Sequence, residues 1–424
     1  MIRLSVCFAS CLGLAACGTQ APYYAPGAMS ANGTPMASSM AGPTQTGQRG
    51  GGVALLLPLS GPLASIGQSM EQAAKLAFAE PGAPKLDVRD TGGTPTGAAQ
   101  AAQAAIAAGD GLILGPLTKD ETAAVAPIAQ KADVNMLAFT NDETLDAPGL
   151  WTLGISPGQQ VRRVISFAAQ HGRTRTAAIL PETAFGQIMA TALRDETQHL
   201  GEPSPQIGFY QNGNFSSLTA TVRSVSDFNG RGAGLEARIR TARDQDNQAG
   251  RLLAAKLSRE PIPPPPFDTL LLAATGEQLA EMGTLLPYFD VGAPAVQLAG
   301  PMLWAQDATS MATHDGLRGA IYAAPDPALR AAFVQKFEAA NGGSAPPALD
   351  DVAFDGAAIA VLAAHEGGFT TRVLTNPTGF LGTDGVLVLL DNGHVRRGLA
   401  VFKVTPGGPT IVSPAPLRLT TPTG

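Results

Sequence analysis

Beyond position 17 the 424-residue chain has no cysteine at all: its three, Cys7, Cys11 and Cys17, are all used at the start. Everything downstream is thereby excluded from disulfides and from thiolate metal sites. The five histidines, His171, His199, His314, His365 and His394, are scattered, none four residues from another. The paired-imidazole spacing of a helical zinc site is missing, and neither a metal nor a cofactor is expected. Positive charge is in short supply, with 28 Lys and Arg against 34 Asp and Glu and a formal net charge of -6. That is the wrong sign for a surface that displaces counterions from phosphates, so no nucleic-acid partner is expected. Also absent are the G-x-S-x-G elbow, H-E-x-x-H, a phosphate-cradling Walker loop, and S-x-x-K with its companion motifs. Glu182 and Glu277 sit at helix starts, where an isolated acid serves the helix dipole. The chain does not read as an enzyme. Aromatics make up only 5%, whereas 49 Gly and 34 Pro point to many short elements joined by turns.

Long apolar runs are missing too. The apolar stretch over 4–14 is too short to span a bilayer core of about 30 Å, but with Met1 to Arg3 before it, it has the form of a signal peptide. Leu14-Ala15-Ala16-Cys17 then resembles the lipobox of bacterial lipoproteins. The resemblance implies a signal peptide over 1–16, lipidation of Cys17 and a membrane anchor that does not span, since several acyl chains give stable attachment where one is marginal. Gly18, rather than Asp, follows the cysteine, which by resemblance to Gram-negative sorting implies the outer membrane, facing the periplasm. Residues 17–52, the lipidated cysteine and a stretch rich in Ala, Gly, Pro, Ser, Thr, Gln and Met, read as a disordered linker. A flexible coil of this length reaches about 30 Å on average.

From Val53 onward strand-like and helix-like segments alternate, the pattern of a parallel sheet covered by helices. Residues 53–57 form a continuous apolar run, as a strand buried on both faces does. Ile66, Met70, Ala73, Ala74, Ala77 and Phe78 recur at helical spacing. Strands are expected over 86–89, 111–114 and 134–139. Thr96 is expected to cap a helix closed by Gly109, and Thr118 with Glu121 to form a capping box. A second series comprises strands at 176–180, 206–210, 267–273 and 296–299, with helices over 185–199, 217–225 and 276–286. Asp326 is expected to cap a helix ending near Gly342; 352–364 is another, and 386–390 with 395–404 flank the hairpin turn Asp391-Asn392-Gly393. The fold class is therefore α/β, with two lobes and a cleft at the C-terminal ends of strands.

Specific stretches carry a family likeness. LLLPLSGPLASIG, DGLILGPLT and FGQIM resemble type I periplasmic binding proteins of the leucine/isoleucine/valine-binding kind, over about 53–405. FDTLLLAATGEQLAEMGTLLPYFDV, LAGPMLW, AAPDPALRAAF, LTNPTGFLGTDGV and VRRGLAVFKV resemble the penicillin-binding-protein activator lipoproteins, which regulate peptidoglycan synthesis. The likeness implies a first lobe from 53–157 and 320–390, a second from 158–319 and 391–412, a three-crossing hinge and a tail over 413–424. It implies a penicillin-binding protein, a peptidoglycan synthase, as partner, and as the alternative a substrate-binding lipoprotein of a branched-chain-type amino-acid ABC transporter. The best-known activators carry a long helical domain where this chain has only its linker.

In amino-acid-binding members the loops matching GPLT and FTND bind the ligand carboxylate, so Leu117, Thr118, Thr140 and Asn141 are candidates for a small-molecule cleft, with Ser60 from the opening turn. The aromatic that packs on the ligand corresponds to Phe185. The acid that pairs the ligand ammonium corresponds to Met302, so that carboxylate is missing, and Asp355 or Asp307 could substitute. A buried ammonium without a partner costs several kcal/mol, which disfavours an ordinary α-amino acid. Residues 230–266 read as a charged helical insertion with a polyproline run; eleven charged side chains, seven of them basic, lie within 231–260. Leu235, Ile239, Leu252, Leu253 and Leu257 allow an ordinary amphipathic face, while Arg238, Arg240, Arg243 and Arg251 are candidates for a partner surface. Metabolic labelling with a radioactive fatty acid checks the anchor: the wild type is expected to take up label, and Cys17→Ser to take up none and to stay as the larger precursor.

Overall fold

The computed structural model describes residues 51–419, so the expected signal peptide, Cys17, nearly all of the linker and the end of the tail lie outside the described residues. Sheet 1 is built from β1 (Gly52–Leu57), α1 (Ala64–Phe78), β2 (Leu86–Asp90), α2 (Pro95–Ala107), β3 (Asp110–Leu114), α3 (Lys119–Lys131), β4 (Asn135–Ala138) and β5 (Leu150–Thr152). Its strands are parallel in the order β2-β1-β3-β4-β5. Chain order changes direction at β1, which makes its C-terminal end the topological switch point. Val53 to Leu57 have no exposed surface. Leu55 and Leu57 face the core formed with α1, while Ala54 and Leu56 face the alanine-rich α2 and α3. Burial on both faces explains why this strand is uniformly apolar rather than alternating.

The chain then crosses into α4 (Pro157–Gln170), β6 (Thr176–Pro181), α5 (Ala184–His199), β7 (Gln206–Tyr210), α6 (Phe215–Val225), α7 (Phe228–Arg243), α8 (Gln248–Leu257), β8 (Thr269–Leu272), α9 (Gly276–Tyr288), β9 (Gln297–Gly300), α10 (Trp304–Met311) and β10 (Ile321–Ala324). It returns through α11 (Pro327–Ala340) and α12 (Ala348–His365) to a three-stranded antiparallel sheet of β11 (Phe380–Gly382), β12 (Gly385–Leu389) and β13 (Val395–Arg397). It leaves again into β14 (Ala400–Thr405) and β15 (Gly408–Ser413), which complete sheet 2 in the order β15-β14-β10-β9-β8-β6-β7. Helix α12 packs beside α1 on sheet 1, while α4 and α5 cover one face of sheet 2 and α6, α9 and α10 the other.

Several boundaries differ from expectation. The return to the first lobe, expected at 320, follows Ala324 instead: Ile321–Ala324 pairs with β9 and β14, and Tyr322 stacks on Phe402 at 5.2 Å between ring centres. The last crossing, expected at 391, lies at Gly398-Leu399, because Val395–Arg397 still pairs with β12. Thr94, not Thr96, caps α2, since Pro95 occupies the first helical position, where its missing N–H costs nothing. The single charged insertion is two helices, α7 and α8, closed on each other through Ala242, Ala254 and Leu257 with Leu235 and Ile239. No described helix is long and apolar enough to cross a membrane.

Gly385, at the start of β12, has φ +122°, and a Cβ there would overlap the Gly398 carbonyl at the last crossing. Gly385→Ala is expected to lower stability by about 1–3 kcal/mol in denaturant unfolding, since both strain and overlap oppose it.

Candidate functional site

Strand direction locates the cleft. Sheet 1 is left from the C-terminal end of β5, parallel to β4, and sheet 2 from the C-terminal end of β10, parallel to β9. Both C-terminal edges therefore border the hinge, and the loops after β1, β3 and β4 face those after β6 and β9 across it. Ser60, Leu117, Thr118, Thr140 and Asn141 come together on the first edge, Phe185 and Met302 on the second.

Several polar groups on the first edge are already engaged. Asp90, at the end of β2, accepts through Oδ1 from the Leu59 N–H at 2.8 Å, the Ser60 N–H at 3.2 Å and the Gly92 N–H at 2.8 Å. The Ser60 hydroxyl, then these N–H groups, hold its carboxyl below the usual range against a smaller opposing effect of burial. Glu121 forms the expected capping box with Thr118: its Oε2 accepts from the Thr118 N–H at 3.1 Å and the Thr118 hydroxyl at 2.7 Å. Its Oε1 accepts from the Thr91 hydroxyl at 2.5 Å, and the side chain is wholly buried. The Thr140 hydroxyl accepts from the Asp142 N–H at 3.3 Å, Leu117 packs on the first-lobe core, and Asn141 is exposed. Two carboxylates of the chain itself thus accept from donors on this edge, Asp90 from the Ser60 N–H and Glu121 from the Thr118 N–H and hydroxyl.

The second edge is apolar. Phe185 packs against the core beneath α4 and α5. Met302 packs against the opposite core, and its N–H donates to Gln160 Oε1 at 2.8 Å. Trp304 is fully buried over Gly300, donates its indole N–H to the Ala274 carbonyl at 2.9 Å and leaves no room for a side chain at Gly300. A cavity of about 250 Å³ between α9 and α10 is lined by Gly276, Glu277, Asp307, Ser310, Met311 and His314, and a wider depression of about 1010 Å³ lies near Arg372 and Asn376. Neither includes the cleft residues.

Asp355 does not enter the cleft. It lies inside α12, only 2% exposed, and its Oδ1 accepts from the Thr383 N–H at 2.8 Å. It belongs to a buried cluster with Asp351, Asp384 and Arg397, so it cannot replace the acid missing at Met302. Asp307 reaches the Gly276 N–H at 3.3 Å and lines the α9–α10 cavity. Among the described residues no group of three or more His, Cys, Asp or Glu is arranged to hold a metal ion.

On the α7–α8 pair, Arg238, Arg240, Arg243 and Arg251 are all exposed. Arg238 pairs with Glu260 at 3.0 Å and Arg251 lies 3.9 Å from Asp246, both in solvent, where such pairs contribute little. Arg231 is different: it is buried and donates to the Pro263 carbonyl at 2.8 Å and the Phe289 carbonyl at 2.7 Å, pinning both the proline run and α7 to the second lobe.

A family model described as Periplasmic binding protein matches residues 52–375. The chain belongs to the periplasmic binding protein family. Among solved structures it is similar to the C-domain of LpoA from Haemophilus influenzae, described as a regulator of PBP1A, with 19% identity, a TM-score of 0.60, and 85% of this chain and 99% of that one covered. A putative branched-chain amino acid ABC transporter protein from Rhodospirillum rubrum matches with 16% identity, a TM-score of 0.64 and the same coverages. At these identities the likeness is one of fold. An uncharacterized protein, RP748, from Rickettsia prowazekii is 23% identical over 176 residues, 41% of this chain and 47% of the relative, so the chain spans about half the length of that relative.

The roles of Asp90 and Thr91 are not in the sequence reading, because the partners that define them lie about thirty residues away in the chain. Glu121→Ala is expected to lower unfolding stability by about 1–3 kcal/mol, since it removes the box and leaves the Thr91 and Thr118 donors without their acceptor. Chemical denaturation of the variant against wild type measures it.

Proposed function

We propose that the protein is a non-enzymatic lipoprotein, anchored through Cys17 at the outer membrane and facing the periplasm, that regulates peptidoglycan synthesis by binding and activating a penicillin-binding protein. The observation that carries this reading is the state of the cleft. A family that recognises amino acids needs free donors for a carboxylate and an acid for an ammonium. Here Asp90 and Glu121 occupy donors on one edge, and Met302 stands where the acid belongs. The likeness to nearly the whole LpoA C-domain supports a partner-binding use of the same fold. An activator works by binding the active state of its partner more tightly than the inactive one, and the exposed arginines of α7 and α8 form the surface proposed for that contact.

The competing reading is a branched-chain-type transporter receptor, supported by the TM-score of 0.64 to the Rhodospirillum protein. Thermal unfolding of the full chain with a millimolar panel of amino acids separates the two. A receptor at 100 times its Kd gains about 2.7 kcal/mol, which a saturable rise in Tm would reveal. The expected outcome is a flat panel, together with synthase binding that Arg240→Glu combined with Arg243→Glu weakens at least about tenfold, or about 1.4 kcal/mol. Unchanged affinity in the double variant would remove that surface, and a saturable shift with leucine or isoleucine would replace the activator reading with the receptor.

A further inference from the structure

The apolar side chains that the sequence places along one face of the charged insertion do not all take part in its closure. Leu235 and Ile239 of α7 pack with Ala242, and Leu257 of α8 with Ala254, into a small core of the pair's own, apart from the cores of the second lobe. Leu252 and Leu253 are left outside it, 66% and 43% exposed. The residues that α8 buries are Gly250, Ala254 and Leu257, so Leu252 points away from the seam. Lys256 follows Leu252 at four residues and Leu253 at three and so shares their side of the helix, and Arg259 stands in the turn just beyond. Both cations are exposed and form no ion pair among the described residues. Helix α8 carries no acid among its 10 residues, and the acids nearest to it are engaged, Asp246 beside Arg251 and Glu260 with Arg238.

We propose that this side of α8 is a second membrane contact, in which Leu252 and Leu253 dip into a bilayer bearing anionic headgroups while Lys256 and Arg259 pair with the headgroup phosphates. Exposed leucines flanked by cations, with no acid between them, are the pattern of a helix that lies in a membrane interface. The long stems of Lys and Arg cover apolar surface while their charged ends stay at the level of the phosphates. Two leucines offer far less apolar area than the roughly 800 Å² per partner of a stable protein interface, whose anchors sit in closed pockets. Headgroups rearrange around isolated side chains, so a bilayer needs no such area. Sign agrees as well: residues 231–260 hold seven basic against four acidic side chains in a chain of net charge -6, so this is the part of the molecule that an anionic surface attracts. The 33 residues between Cys17 and Gly51 can extend to at most about 110 Å. That is well beyond the radius of gyration of about 21 Å expected for a compact body of this length, so the tether lets any face turn to the bilayer. Tethering also makes the contact intramolecular, and a weak one is enough. The proximity rests on the Cys17 anchor proposed above; the make-up of the surface does not. Arg240 and Arg243, proposed for the synthase, are not used.

Tryptophan quenching tests the contact. The chain's two tryptophans, Trp151 and Trp304, are fully buried, so the indole introduced by Leu252→Trp is the one that a quencher in a bilayer can reach. The full chain is reconstituted on phosphatidylcholine vesicles with brominated acyl chains, with and without phosphatidylglycerol as a minority lipid. On the phosphatidylglycerol vesicles the added emission of Leu252→Trp is expected to fall at least about twofold, as for a side chain at the headgroup–acyl boundary. Lys256→Gln combined with Arg259→Gln, which removes both charges without placing acids at the end of the helix, is expected to weaken the contact at least about tenfold. Raising salt to about 1 M, where screening acts within about 3 Å, is expected to do the same. Flotation of the same vesicles reports attachment through the anchor, so a failed anchor and a failed surface are told apart, and the quenching decides in both cases. No quenching beyond wild type on the phosphatidylglycerol vesicles overturns the contact and leaves the leucines to a protein partner or a second copy. Equal quenching on phosphatidylcholine alone, or quenching that survives loss of both charges, also overturns it, because apolar insertion alone would then carry the contact.

Discussion

The Arg397 guanidinium is the contact on which the two-lobed arrangement turns. Three passes of the chain join the lobes. Arg397 ties the third pass to the first through the Leu153 carbonyl. Helix α4 adds two further ties, from Gln159 Nε2 to the Val395 carbonyl at 2.9 Å and from Arg163 Nε to the Leu399 carbonyl at 2.7 Å. The second pass is held at Asp326, which accepts from the Ala415 N–H at 3.1 Å and so draws the segment after β15 back to the hinge. The acceptors are backbone carbonyls where strands end, and a long planar donor reaches them without occupying a ladder position. Burying it requires counter-charge, which explains why α12, otherwise apolar nearly all round, carries Asp351 and Asp355 inside.

The same economy of polar groups governs the cleft. At the ends of parallel strands the backbone N–H groups have no ladder partner, and something must accept from them. In a receptor the ligand does part of this. Here Asp90 and Glu121 do it for the Leu59, Ser60, Gly92 and Thr118 N–H groups. An incoming carboxylate would have to displace one of them, leaving that carboxylate, in the case of Glu121, buried with fewer donors than before. Regular structure and ligand affinity compete for such donors, and in this chain Asp90 and Glu121 hold four of them.

Legibility in the sequence follows the length and burial of each element. β1, β3 and β6 are continuous apolar runs and are readable at once, and the Thr118–Glu121 box is visible from its spacing. β5 and β10 have only three and four residues, too few for any period to emerge, and they are missed. Helix α4 is missed although Ser156, Pro157 and Gln159 spell out a capped start. The stretch 395–404 reads as one strand, and only Gly398 hints that it belongs to two sheets. Asp355 was assignable to the cleft on sequence alone because α12 is buried on almost every side, so no polar face says which way an acid points. In each case the missing information is a tertiary contact, not a local preference.

The position of α7 and α8 limits how a partner could use the hinge. Arg231 fastens α7 to Phe289, whose ring lies in the core of the second lobe, and to Pro263 ahead of β8. The pair therefore moves with that lobe as one body. A partner touching only these helices meets the same surface whatever the angle between lobes, has equal affinity for every hinge state, and shifts none of them. Coupling between hinge and partner demands contacts on both lobes. Activation of the partner demands no such coupling, because the differential affinity that matters there is between the partner's own two states. For the activator function proposed above, a rigid lobe presenting the α7–α8 arginines is sufficient, and the hinge enters only if the partner bridges the cleft.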